Sequence, residues 1–375
     1  MNRKFSLTAA GAAFCLIVIF IHVISPVISG ADRSTPGYAV ALTAWRLSTF
    51  VVQGFILLAG VKLGLKFNAG LSAGASPGSA SNVLWGDYYR SRLTRIVLPY
   101  IAWVVVYYLW FWLRGYFAFS PLSLLRYIFI GDLSAHFYFV VVIVQFYALA
   151  PLWRTLATHA PAAFALPAAA LISLLSAQYL PYMLDFFCGI KDFAWSDRIF
   201  TTYLIWWVAG LYIGRDWDNF AASLHASRWF FAVATLLAGA FDAALCYNVY
   251  VGGVIFGYAE PVHMLYSICA IMLALALGGE IAALSQKREG QSRYPASVRI
   301  INAIDRAGYG IYLSHVLILS AVTAALDFFG IQRLSVRFII AAVATYVLSL
   351  TANLGYYELK SHIKRRKQLN ESIHG

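Results

Sequence analysis

Charge is scarce in this chain of 375 residues: Asp, Glu, Lys and Arg make up 12% of it, 61% is hydrophobic and the mean hydropathy is +0.71. Soluble domains carry about 25% charged residues, so the shortage excludes a water-soluble globule and leaves an integral membrane protein. Runs of short alternating strands are lacking too. The apolar stretches have helix-spanning length, which excludes an outer-membrane barrel and favours helices that satisfy their own backbone groups in lipid. Cysteines number four. Cys15, Cys246 and Cys269 fall in apolar stretches and Cys188 in a connection, with no CxxC or Cys/His spacing, which argues against structural disulfides and against a zinc or other metal site. No internal repeat and no matched pair of Gly/Pro-broken segments appears, which weighs against an inverted-repeat transporter. No connection holds a soluble domain; the longest is Lys62–Arg95.

What is present reads as an all-α, polytopic transmembrane helical bundle of about ten spans. They lie near residues 6–29, 43–61, 96–113, 136–153, 162–181, 199–213, 229–247, 262–282, 308–326 and 336–356. One integral-membrane domain then fills 1–375, with the bundle over 6–356 and a basic tail over 357–375. The net charge of +12 does not point to nucleic acid. With the N-terminus inside, most Lys and Arg fall in inner segments, as the positive-inside rule requires, so the charge reports two cytoplasmic termini and contact with the lipid bilayer of the inner membrane. The start, MNRK before an apolar run, is signal-like, yet the run exceeds a signal core and its retention keeps the span count even. Asn68–Asn82 is rich in Gly, Ala and Ser and reads as a flexible linker. Gly115–Ala135 reads as an interfacial segment and Tyr182–Arg198 as a mixed-charge outer loop.

Against this background a few polar residues stand out. His22 is the lone ionisable group in Phe14–Ile28, and ionisable groups inside spans are functional-site candidates by default; the alternative is an imidazole that only bonds a neighbouring helix. Arg92 and Arg95, three apart, share one face if helical, and with Arg90 they form either a cationic clamp for phosphate oxygens or a plain positive-inside anchor. His136, Tyr138 and Gln145 bring polar groups to the fourth span, where belt anchoring also explains Tyr138. Tyr312 and His315 lie one turn apart in the ninth span, as site groups or interhelical bonds. Asp242 in the seventh span calls for an Arg or His from another helix.

These features, in order, resemble membrane acyltransferase family 3, whose members move acyl groups from coenzyme A thioesters to sugars of surface and exported glycans. The matching pieces are His22, the small-residue stretch Gln53–Gly60, Arg92-x-x-Arg95 with Pro99-Tyr100, the His136–Tyr147 block and Tyr309–His315. The resemblance implies that His22 is the catalytic histidine, that Arg92 and Arg95 bind the acyl-CoA donor (acetyl-CoA or succinyl-CoA), and that the acceptor is a carbohydrate hydroxyl. Two positions depart from the family. Many members carry an Arg eleven residues before the histidine, where this chain has Gly11, and Arg46 is the candidate to supply that cation; the family's small Ser-Gly pair is Ala59-Gly60. A neutral His22 would act as general base or be acylated itself, with Tyr312, His315 or Gln145 as oxyanion partners. The rival reading is a transporter or flippase of a glycan intermediate, with His22 and His315 binding substrate or protons.

Overall fold

The structure is a computed structural model, and it describes residues 3–72, 85–248, 252–253, 259–286 and 295–374. Its helices in chain order are α1 (Arg3–Gly30), α2 (Pro36–Ser48), α3 (Phe50–Ser72), α4 (Trp85–Arg92), α5 (Leu98–Leu113), α6 (Pro121–Ile130), α7 (Phe137–Ala148) and α8 (Ala150–His159). They continue as α9 (Ala162–Cys188), α10 (Leu204–Arg215), α11 (Trp217–Ala226), α12 (Arg228–Cys246), α13 (Ala259–Gln286), α14 (Ala296–Phe328) and α15 (Leu334–His374). Among the described residues eight helices are long and apolar enough to cross a membrane, α2 and α3 counting together as do α4 and α5. The pair α7 and α8, bent by 59° at Leu149, makes a ninth if it is one span.

The segment expected at 199–213 is a hybrid. A 3-10 turn, Phe200–Tyr203, leads into the twelve residues of α10. Together they reach roughly 26 Å, near the ~30 Å of a bilayer core. α6 has ten residues, too few to cross, and exposes Leu122 and Phe129, as an interfacial segment does. The expected outer loop starts later than Tyr182: α9 carries on through Cys188 and stops at Gly189, whose φ of 66° only glycine adopts without strain. Of the Gly/Ser-rich linker, residues 68–72 prolong α3 and 73–82 lie outside the described residues. The basic tail continues α15 as helix to His374.

The chain forms two compact units, one from Met1–Val51 with Ala221–Gly375 and the other from Val52–Phe220. In the first, α1 is the centre and packs on α2, α13, α14 and α15. Small residues permit the approach: a Cβ on Gly278 of α13 would stand 2.8 Å from the Ser6 carbonyl oxygen of α1. α12 is apolar outward and polar inward. Trp229, Phe230, Val233, Leu236 and Leu237 are exposed while Gly239, Asp242, Leu245 and Cys246 are buried, so bulky apolar side chains face outward and the one carboxylate faces inward, as lipid demands.

In the second unit α3 and α10 meet backbone to backbone. Gly60 and Gly64 face Gly210 and Gly214, and a Cβ on any of them would overlap a carbonyl of the other helix: Trp207 and Leu211 from one side, Leu57 and Val61 from the other. Two small-xxx-small stripes in register explain the helix pairing, since close packing rather than hydrophobic burial drives association in lipid. Aromatic rings fill much of the rest of that interior, with Phe146 stacked on Trp207 at 4.5 Å between ring centroids.

Candidate functional site

Pro26 sits one turn beyond His22 inside α1. Having no N–H, it withholds the helical bond that the His22 carbonyl would otherwise accept. The His22 side chain is half-buried, whereas His315 of α14 is fully buried. Their rings lie 5.0 Å apart between centroids, tilted by 57°. The sequence left His315 open between a site group and a packing bond; the structure sets it beside His22.

The His315 tautomer follows from its contacts. Nδ1 lies 2.8 Å from the Tyr312 carbonyl oxygen and 3.2 Å from that of Ile311. Both partners are acceptors, so Nδ1 carries the proton and Nε2 of the neutral ring offers a lone pair. Tyr312, one turn earlier, has its ring 6.0 Å from that of His315. Behind them α14 is fixed to α15 by Asn353, whose Nδ2 donates to Ser314 Oγ at 2.9 Å and to the Ser349 carbonyl at 2.8 Å. On the other side Tyr346 of α15 donates to the Leu16 carbonyl of α1 at 2.8 Å. The histidine pair is therefore mounted on three mutually braced helices.

A second polar cluster lies in the same unit. Arg46 of α2 is buried, with Nε 2.9 Å from Asp242 Oδ1 and Nη1 3.0 Å from Glu260 Oε1. Asp242, expected to find an Arg or a His, has both: its Oδ2 stands 2.6 Å from His263 Nδ1. His263 Nε2 in turn lies 2.9 Å from Thr49 Oγ1, at the break between α2 and α3. Arg46, the candidate for the cation missing at Gly11, is thus held inside the bundle by two carboxylates. The sequence singled out neither His263, Glu260 nor Thr49. The signal available was His263 itself, an ionisable group at the head of an apolar stretch, where the unmet need of Asp242 pointed.

The remaining candidates belong to the second unit. Between α4 and α5 the chain makes a π turn over Leu93–Val97, with Leu98 N–H bonded to the Leu93 carbonyl. Pro99 follows and cannot bond the Arg95 carbonyl, which accounts for the widened turn at that point. The turn breaks the simple three-residue face on which the sequence placed Arg92 and Arg95. Arg92 turns inward, its guanidinium 5.0 Å from the Tyr88 ring and 4.4 Å from the Tyr147 ring. Its buried Nε has no hydrogen-bond partner among the described residues. Arg90 and Arg95 are exposed. Lys66 of α3, also exposed, lies within electrostatic reach of both Arg92 and Arg95. The sequence did not single it out, and no spacing rule links residue 66 to residue 92.

The His136–Tyr147 block has a different character. His136 is buried, its Nδ1 3.0 Å from Ser134 Oγ and its ring against Tyr107 and Phe137. Tyr138 shares a hydrogen bond with Tyr203. Gln145 donates from Nε2 to the Arg198 carbonyl at 2.7 Å and accepts from Phe200 N–H at 3.1 Å. Both ends of its amide hold the turns that precede α10, a scaffold use.

A family model described as an acyltransferase domain matches residues 11–354, from α1 before His22 to α15 beyond Asn353. No curated protein and no solved structure matches the chain.

Proposed function

The chain belongs to acyltransferase family 3, and on that premise we propose that it carries an acyl group, acetyl or succinyl, from coenzyme A to a hydroxyl of a surface or exported carbohydrate. It is a multi-pass membrane protein, and we place it in the inner membrane with both termini cytoplasmic, the orientation that the basic ends favour.

The observation that carries this reading is the His22–His315 pair. Acyl transfer to a hydroxyl needs a group that removes a proton as the oxygen attacks. A positioned neutral imidazole does so with a gain of typically 10²–10⁴-fold. His22 supplies that base. His315, its Nδ1 proton committed to the Tyr312 and Ile311 carbonyls, presents a lone pair next to it and fixes its surroundings. His22 lies eight residues before the end of α1, roughly 12 Å from the outer end in the proposed orientation. That depth suits a meeting of an outside hydroxyl with an inside thioester.

The donor's phosphates are assigned to Arg92 and Arg95 with Lys66 beside them. Arg92, packed on two tyrosine faces, is pre-organised, while Arg95 and Lys66 extend into solvent where phosphate oxygens arrive.

Purified protein in detergent is offered radiolabelled acetyl-CoA and succinyl-CoA with envelope glycan. Thioester cleavage with label passing to glycan is the expected result; translocation of a glycan intermediate with no thioester consumed would sink the reading. Cysteine labelling beyond Gly375 should report an inside location.

A further inference from the structure

Resting on that reading and going beyond it, we propose that Thr49 is the nucleophile of a first half-reaction, holding the acyl group as an ester before the carbohydrate hydroxyl takes it. Thr49, His263 and Asp242 stand in the order hydroxyl, imidazole, carboxylate, with Oγ1 2.9 Å from Nε2 and Nδ1 2.6 Å from Oδ2. Both lengths fall within the reach of an activated nucleophile and its oriented base. The carboxylate accepts from Nδ1, which leaves the Nε2 lone pair beside the hydroxyl; Oγ1 rests donating to the Arg46 carbonyl at 2.7 Å, and rotation about the Cβ–Oγ1 bond turns its proton to Nε2. Arg46 Nε, on the other oxygen of Asp242, holds that carboxylate in place.

Thr49 is also where the helix gives way. The α2–α3 break sits on it, so its side chain is half-buried rather than sealed in a helix wall. α1 and α2 run antiparallel through the short turn 31–35, and the Phe14 and Phe50 rings meet at 5.7 Å. Thr49 is thirteen residues from that turn and His22 eight, so Thr49 lies roughly 8 Å nearer the cytoplasmic end. A donor from inside meets Thr49 first; an acceptor from outside meets His22.

The chemistry then divides between two imidazoles. In the first step His263 Nε2 takes the Thr49 proton as Oγ1 attacks the thioester carbonyl. The C–S bond breaks, and the thiolate leaves to take a proton from cytoplasmic water. In the second, His22 takes the proton of the acceptor hydroxyl as its oxygen attacks the Thr49 ester. The C–Oγ1 bond breaks, His263 returns its proton to Oγ1, and His22 releases its own to solvent. Each half-reaction thus has its own imidazole, His263 beside Thr49 and His22 on the acceptor side.

The test is a rapid-quench experiment on the full chain in detergent with radiolabelled acetyl-CoA, run with and without glycan. Wild type should release a burst of about one equivalent of thiol per chain before steady turnover. His22→Ala should keep the burst, lose turnover and accumulate a hydroxylamine-sensitive label that peptide mapping places on Thr49. Thr49→Val should lose burst and turnover at unchanged melting temperature, and Thr49→Ser should restore the burst. Turnover by folded Thr49→Val, label on His22 instead, or no label in His22→Ala while wild type turns over would each overturn the relay and leave the acyltransferase reading standing. If Thr49→Val fails to fold, the label position in His22→Ala still decides. Absence of thioester consumption by wild type would remove both.

Discussion

The two compact units differ in how they treat charged side chains. The first, Met1–Val51 with Ala221–Gly375, encloses Arg46, Asp242, His263, His315, Ser314 and Asn353 and gives them partners on neighbouring helices. The second, Val52–Phe220, is filled with aromatic rings around Trp207, and among its described residues no Asp, Glu, Lys or Arg is fully buried. Its cations Lys66, Arg90 and Arg95 are exposed instead. The difference matches the two tasks of an acyl transfer. Proton removal needs an imidazole fixed in a dry, satisfied polar interior. Phosphate capture needs guanidinium and ammonium groups that solvent-borne oxygens can reach.

Substitutions at six positions sharpen or break that contrast. The largest effect is expected at His22: Ala or Gln should lower acyl transfer by at least the 10²–10⁴-fold that a general base contributes. Gln is the diagnostic choice because it keeps a hydrogen bond and lacks a usable base; substantial activity in His22→Gln, measured as label transferred to glycan, would make His22 a packing residue.

Next comes Asp242→Ala, which strips the buried Arg46 of a partner with 0% side-chain exposure. Breaking one half of a buried ion pair costs about 3–5 kcal/mol, so the purified variant should show a large fall in melting temperature, and an unchanged melting curve would mean that the network carries little of the first unit's stability. Gly64→Leu tests the second unit's reliance on close backbone contact. Overpacking costs typically 1–3 kcal/mol, to be read as a lower melting temperature with the fold otherwise retained. A neutral result there would show that α3 and α10 separate without penalty.

The smallest effects belong to the cations. Lost hydrogen bonds to charged groups are worth about 1.5–3 kcal/mol, so Arg92→Ala should raise the apparent KM for acyl-CoA on the order of 10- to 100-fold at normal protein levels. Arg95→Ala and Lys66→Ala, at exposed sites, should raise it less and lose their effect as salt is added. Donor dependence unchanged in all three would reduce them to topological anchors.

Much of this was legible in the chain and some was not, for identifiable reasons. His22, His315 and Asp242 stood out because charge inside an apolar stretch is costly, and that cost shows in one dimension. Arg92 and Arg95 were visible as a pair, yet their divergence was hidden: the π turn before Pro99 sends Arg92 onto Tyr88 and Tyr147 while Arg95 stays in solvent. Gln145, read as a possible site group, instead bonds the turns at Arg198 and Phe200. Its partners lie more than fifty positions away, and no local pattern announces them. Arg46 was chosen to replace the cation missing at Gly11, and the structure commits it to Asp242 and Glu260.

The sequence alone determined that this is a helical membrane protein of acyltransferase family 3 and which strand of polar residues to watch, because hydropathy, charge asymmetry and ordered motifs are properties of the chain itself. Only the tertiary structure decided who meets whom: His22 with His315, Arg46 with Asp242 and Glu260, His263 with Thr49, and Lys66 with the arginines. A helix in lipid satisfies its backbone internally and leaves each polar side chain to find its partner on another helix, so the partner's identity is set by packing and not by spacing.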